Sequence, residues 1–360
     1  MMLDMRTLGF LIIASLASAS AFCADWSPRL AAKYLDSRQK DWFAWPTAKA
    51  TSGPCISCHT GVTYLLARPA LRETLGESGP TAYETGLRDA LLARSGSVNP
   101  MDMFPAFGKG PNASQALGVE TVLAALFLSS GEDSPDLDAD GRRAFDRLWA
   151  HQIQDGPAKG AWEWFNLALD PYEMPPSPFY GATFAAMAVG SAPAAYRKDP
   201  NVRQHVAQLN EYFAREWRSQ PLHNRLMLVW ASTKLPSSLA PTTRKAALDE
   251  TLHKQNADGG WSIESLGPWK EHPGAPASTG SNSYATAFAT FVLSTAGVPS
   301  SSPSITKAVA WLASHQDQQT GFWVAESMNK KYDAGSMPEG FMRDAATAFA
   351  VMALTQAGGR

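Results

Sequence analysis

Lys307-Ala308-Val309-Ala310-Trp311-Leu312-Ala313-Ser314-His315-Gln316-Asp317-Gln318-Gln319-Thr320-Gly321-Phe322-Trp323 is the stretch from which the fold is read. Its skeleton, an apolar helical face, then Gln, then Gly-x-Trp, recurs upstream. Arg143-Ala144 and Arg147-Leu148 lead to Gln152 and Gly160-Ala161-Trp162, and Gln255 leads to Gly259-Gly260-Trp261. A fainter copy runs from Ala31 through Tyr34-Leu35 and Gln39 to Trp42. Recurrence of one pattern along a chain marks a repeat architecture.

Each copy reads as an amphipathic helix followed by a turn. Phe145, Leu148, Trp149 and Gln152 fall at i, i+3, i+4 and i+7, one stripe of a helix, which leaves Arg142, Arg143 and Arg147 for the solvent side. A second kind of helix follows each turn, apolar nearly all round, as at 182–189, 284–296 and 345–357. A helix with no polar face has to be covered by others.

The template gives six pairs, with outer helices starting near 27, 81, 140, 200, 242 and 304 and inner ones near 58, 113, 181, 222, 284 and 344. The fourth pair is degenerate, joined by a tight Gln220-Pro221 turn. Strand signals are weak throughout. Six hairpins whose apolar members need a common centre predict an all-α chain closed into an (α/α)6 toroid, since an open solenoid leaves one end bare.

The Gln…Gly-x-Trp repeats resemble the QW motifs of the squalene-hopene cyclase and protein prenyltransferase β-subunit superfamily, whose domains are α/α toroids. The resemblance implies that Gln152, Trp162, Gln255, Trp261, Gln316 and Trp323 tie neighbouring outer helices together rather than take part in chemistry. It carries fold further than activity. The Asp-x-Asp-Asp acid of the cyclases is missing, and no Cys on the later inner helices matches the prenyltransferase zinc site.

A second motif, Cys55-Ile56-Ser57-Cys58-His59, carries the chemistry. In C-x-x-C-H haem attachment the two thiols form thioethers to the haem vinyl groups and the adjacent imidazole becomes the proximal iron ligand. One covalent haem c on Cys55, Cys58 and His59 is therefore expected, at the N-terminal rim of the inner helices. A disulfide, half of a zinc site and a thioredoxin-like redox pair use the same residue types. Zinc lacks further ligands, because the remaining cysteine is Cys23, and no βαβ pattern surrounds the pair.

Arg6, an apolar run over 8–22 and the small residues Ala19-Ser20-Ala21 read as a signal peptide over 1–21, followed by one toroid domain over 22–360. The expected address is the periplasm, and no segment is long enough for a transmembrane helix. A lipid anchor at Cys23 is disfavoured by the bulky Phe22 before it. A formal net charge of -2 gives no electrostatic case for nucleic acid.

Long connections at 42–54, 96–111, 154–180, 257–283 and 320–341 fall on the haem rim and carry Trp45, Phe104, Phe107, Trp164, Phe165, Tyr172, Phe179, Tyr180, Trp269 and Tyr332. They read either as an apolar pocket or as packing of the loops. Met101 or Met103 is the nearest candidate for a distal ligand, with His223 and His272 further round and an open sixth position as the alternative. Asp136-Leu137-Asp138-Ala139-Asp140-Gly141 begins like a calcium loop, but Arg147 stands where the bidentate Glu belongs, so it reads as a solvated helix start. The functional expectation is a periplasmic haem c redox enzyme acting on an apolar, isoprenoid-like or aromatic, small molecule. The alternative is an electron-transfer or haem-sensing cytochrome with a periplasmic redox partner.

Overall fold

In chain order the long helices are α1 Pro28–Ala44, α2 Gly61–Leu75, α3 Ala82–Arg94, α4 Ala113–Leu128, α5 Ala139–Ala150, α6 Ser177–Gly190, α7 Pro200–Glu216, α8 Leu222–Lys234, α9 Pro241–His253, α10 Ser283–Thr295, α11 Pro303–Ser314 and α12 Phe341–Gly358. They belong to a computed structural model that describes residues 26–106, 108–129 and 133–358. The leader expected at 1–21, Cys23 and Phe107 lie outside the described residues. The architecture is all-α; among the described residues the sole sheet is the two-residue antiparallel pairing of Lys49–Ala50 with Gly53–Pro54.

Odd-numbered helices start at the outer positions the repeat predicts, and even-numbered helices at or near the inner ones. Composition explains the division. In α10 every residue from Ser283 to Ser294 is buried, and α6 is nearly as enclosed, whereas α9 buries Ala247 and Thr251 alone. The inner helices cover one another in order: α4 packs on α6, α6 on α8, α8 on α10, α10 on α12, and α12 on α2. Helix α3 packs on both α2 and α4, so the succession runs back to its start.

The motif residues make the links between outer helices. Gln152 Nε2 donates to Gly160 O and, in α7, to His205 O, both at 3.0 Å. Gln255 Nε2 does the same for Gly259 O and Ser304 O in α11, both at 2.8 Å. Each tryptophan of the motif caps the end of its own outer helix: Trp162 Nε1 donates to Leu148 O, Trp261 to Thr251 O and Trp323 to Leu312 O, at 2.7–2.8 Å. Each of these carbonyls lies in the last turn of its helix, where it also accepts from the backbone N–H three residues on, so the indole is its second donor.

Glycine is required in the motif for two reasons at once. Gly321 has φ +86°, and a Cβ there would lie 2.3 Å from Leu30 O of α1; Gly160 has φ +96° and the same distance to Gln208 O of α7. Left-handed backbone and direct backbone contact both exclude a side chain.

One expectation is corrected. Arg147 is buried rather than solvent-facing, because its Nη1 donates to Arg94 O and Ser95 O at 3.0 and 3.2 Å and so satisfies the carbonyl end of α3. A cation is favoured there by the helix dipole. Asp138 caps α5 through Gly141 N at 2.7 Å, while Asp136 pairs with Arg142 at the surface. Among the described residues no helix is long and apolar enough to cross a membrane.

Candidate functional site

Residues 55–60 form a turn immediately before α2 rather than its first turn. Ser57 shapes it: its carbonyl accepts from Gly61 N and Val62 N, and its Oγ accepts from His59 N and Thr60 N at 3.2 Å. A serine hydroxyl bonding the backbone ahead of it is a common turn device.

The turn is anchored on both sides. Trp42 Nε1 donates to Cys55 O at 2.8 Å and Gln39 Nε2 to Thr60 O at 2.8 Å, so the faint first repeat ties α1 to the cysteine motif rather than to another outer helix. From the neighbouring helix α12, the fully buried Asp344 accepts from Thr60 Oγ1 at 2.8 Å, and from Tyr34 Oη and Arg38 Nε at 2.7 Å each. Burial raises the Asp344 carboxyl and Arg38 opposes that rise.

Cys55, Cys58 and His59 all face one cavity of about 240 Å³. Its walls are Trp42, Trp45, Phe104, Phe165, Leu167 and Phe341, drawn from α1, α12 and the long loops, with Ala116, Val119 and Glu120 of α4 on the far side. The thiols are buried and unpaired. Burial pushes both thiols up, so they rest protonated.

The His59 ring stacks on Phe341 at 5.3 Å and touches Tyr172 at 4.7 Å, and no described protein group hydrogen-bonds its nitrogens. Burial pushes it down to about 3, which keeps the imidazole neutral and its lone pair free. Neutral imidazole is the form that binds a metal.

Two carboxyls share this cavity. Glu120 is buried against Arg94, Nε to Oε1 at 2.6 Å, and burial raises its carboxyl against the pull of that guanidinium. Glu173 has no hydrogen-bond partner for its side chain among the described residues, and burial raises it to about 7. Neither acid stood out in the sequence, where nothing separates them from surface carboxylates.

Of the sequence candidates for the far side of the cavity, Met103 lines it and Met101 does not. His223 is fully buried in a hydrogen-bonded core network, and His272 pairs with Asp170 Oδ2 at 3.2 Å beside a different, polar cavity. Met342 of α12 also lines the first cavity, a residue the sequence reading did not single out. Among the rim aromatics, Trp45, Phe104, Phe165 and Tyr332 line it, whereas Trp164, Phe179 and Tyr180 are core packing.

The residues present fit a covalently attached haem. Two unpaired thiols and an imidazole without hydrogen bonds converge on an aromatic-walled space, the donor set of C-x-x-C-H attachment. A zinc knuckle fits less well, since among the described residues no group of three His, Cys, Asp or Glu is placed to hold a metal ion. The sequence matches no protein-family model and no curated protein.

Proposed function

We propose that this chain is an exported c-type haem protein on a QW-type toroid, with Cys55 and Cys58 as thioether attachment residues and His59 as proximal iron ligand. The observation that carries the reading is the convergence of those three side chains on one apolar cavity. When bound, the haem supplies one-electron redox chemistry. Around it the protein would position an apolar substrate between Trp45, Phe104 and Phe165, exclude water, and hold a proton on Glu173, the unpaired acid of the cavity. The activity is oxidation of an apolar or aromatic small molecule.

A second reading, electron transfer or haem sensing without turnover, is favoured by Met103 and Met342, whose thioethers line the same cavity. Met/His ligation closes an iron site and raises its potential. The test is the absorption spectrum of protein exported in a host that attaches haem c, oxidised, reduced, and reduced under carbon monoxide. Covalent haem that binds carbon monoxide supports the oxidase reading, covalent haem inert to it supports electron transfer, and no covalent haem overturns both.

A further inference from the structure

The molecule holds a buried phenol-imidazole network beside the haem motif that attachment and substrate binding leave unused. Tyr172, whose ring touches His59, donates from Oη to Tyr284 Oη at 2.8 Å. Tyr284 Oη lies 2.7 Å from His223 Nε2. His223 Nδ1 lies 3.1 Å from Asn224 Oδ1, and Asn224 Nδ2 donates to Gln220 Oε1 at 2.9 Å. That order fixes the directions. Asn224 Oδ1 can only accept, so His223 carries its proton on Nδ1, and Nε2 is left to accept from Tyr284.

All of these side chains are buried, and Tyr284, His223 and Asn224 have no exposed surface at all. A phenol already hydrogen-bonded to a neutral imidazole has a base waiting for its proton. Burial keeps His223 neutral, at about 4, and keeps both phenols protonated. The rings form a continuous path, 4.7 Å from His59 to Tyr172 and 6.2 Å from Tyr172 to Tyr284 between centroids.

We propose that Tyr284 and His223 form a proton-coupled redox pair that serves the haem site through Tyr172. The inference rests on the haem reading above. Hydrogen peroxide is the oxidant: its O–O bond breaks and it leaves as two waters on taking up two electrons and two solvent protons. Tyr284 supplies one of those two electrons toward the Cys55–His59 end; its O–H bond breaks and an N–H bond forms on His223 Nε2. The products are a neutral tyrosyl radical and an imidazolium, and the electron reduces the oxidised haem by one. Tyr172 keeps its proton and its hydrogen bond to the Tyr284 oxygen. The pair thereby holds the second oxidising equivalent of a peroxide away from the substrate cavity.

The experiment is electron paramagnetic resonance on freeze-quenched protein in two arms. In the first, haem-loaded protein is mixed with hydrogen peroxide. In the second, haem-free Cys55→Ala/Cys58→Ala protein is photo-oxidised with a ruthenium tris-bipyridyl complex and persulfate. The expected result is a tyrosyl signal with an exchangeable proton coupling, lost in Tyr284→Phe and stripped of that coupling in His223→Phe. A signal unchanged in Tyr284→Phe, or no hydrogen-bonded tyrosyl radical in either arm, overturns the proposal. If the wild-type chain attaches no haem, the second arm alone decides, so failure of the haem reading and failure of the redox pair are separable. If Tyr284→Phe does not fold, ring-deuterated tyrosine placed at position 284 alone assigns the radical instead, and a signal whose hyperfine pattern that label leaves unchanged overturns the proposal.

Discussion

Gln316 grips Ser27 by both ends of one amide: its Oε1 accepts from Ser27 N at 2.6 Å and its Nε2 donates to Ser27 O at 3.0 Å. Ser27 caps α1 and Gln316 follows α11, so this contact joins the last outer helix to the first. Gln152 and Gln255 make the corresponding link between successive outer helices, α5 to α7 and α9 to α11. Replacing Gln316 by Ala strands the partly buried amide of Ser27, whose carbonyl keeps its bond from Ala31 N, and should cost about 1–3 kcal/mol in urea unfolding. Gln255→Ala should cost a similar amount, and an unaffected midpoint for Gln316→Ala would show that the first and last repeats are not coupled.

The motif glycine can be tested against an internal control. Gly321 and Gly297 both have positive φ, but a Cβ at Gly297 meets nothing within 4 Å, whereas at Gly321 it meets the α1 backbone. Gly297→Ala should cost about 1–3 kcal/mol from backbone strain alone. Gly321→Ala should cost more, and equal melting temperatures for the two variants would remove the close approach from the explanation.

Much of this was legible in the sequence because it is periodic. Helix starts at 28, 82, 139, 200, 241 and 303 follow from the stripe of Phe145, Leu148 and Trp149 and its equivalents, since burial on one face dictates spacing. Arg147 was misread because its partners, the carbonyls of Arg94 and Ser95, come from another helix end, which no local pattern encodes. The same holds in the cavity. Met101 and Met103 are equivalent in sequence, and the short helix Pro100–Met103 alone decides which of them turns inward. Glu173 and Met342 were missed for that reason, and the Tyr284–His223 pair joins residues 61 positions apart.

Acid should destabilise the haem-free protein through His223. Its folded value of about 4 lies below the ordinary 6.5 because burial disfavours the cation, so the unfolded chain takes up the proton first as pH falls. The His223 contribution is complete above pH 6.5 and is lost on the way down to pH 4. The slope is about 1.4 kcal/mol per pH unit, a total of about 3 kcal/mol. Urea midpoints from pH 7 to 4 should therefore fall less steeply in His223→Gln, by one proton, and an identical slope would mean that the ring is not held neutral.

Arg94 and Glu120 are an ion pair with almost no exposed surface, and Arg94 also donates from Nη2 to Pro54 O at 3.2 Å, beside Cys55. Removing one partner leaves a buried charge without its counterion. Arg94→Met should cost about 3–5 kcal/mol, whereas the double replacement Arg94→Met/Glu120→Met should recover most of it. The pair sits against the attachment turn, so the single variant should also yield less haem-loaded protein on export. Full loading of Arg94→Met with wild-type stability would show that the pair supports neither the wall nor the turn.

The two thioethers of the cavity decide between the functional readings. Met101 is only partly buried and does not line the cavity, so Met101→Ala should leave the spectrum of the haem-loaded protein unchanged. Met103 and Met342 are both buried and both face the Cys55–His59 side. On the oxidase reading neither thioether holds the iron: wild type binds carbon monoxide, and Met103→Ala and Met342→Ala do so with the same spectrum. If one of them converts a protein inert to carbon monoxide into one that binds it, that sulfur is the distal ligand. The cavity then serves electron transfer, because a Met/His site raises the potential and leaves no position for substrate.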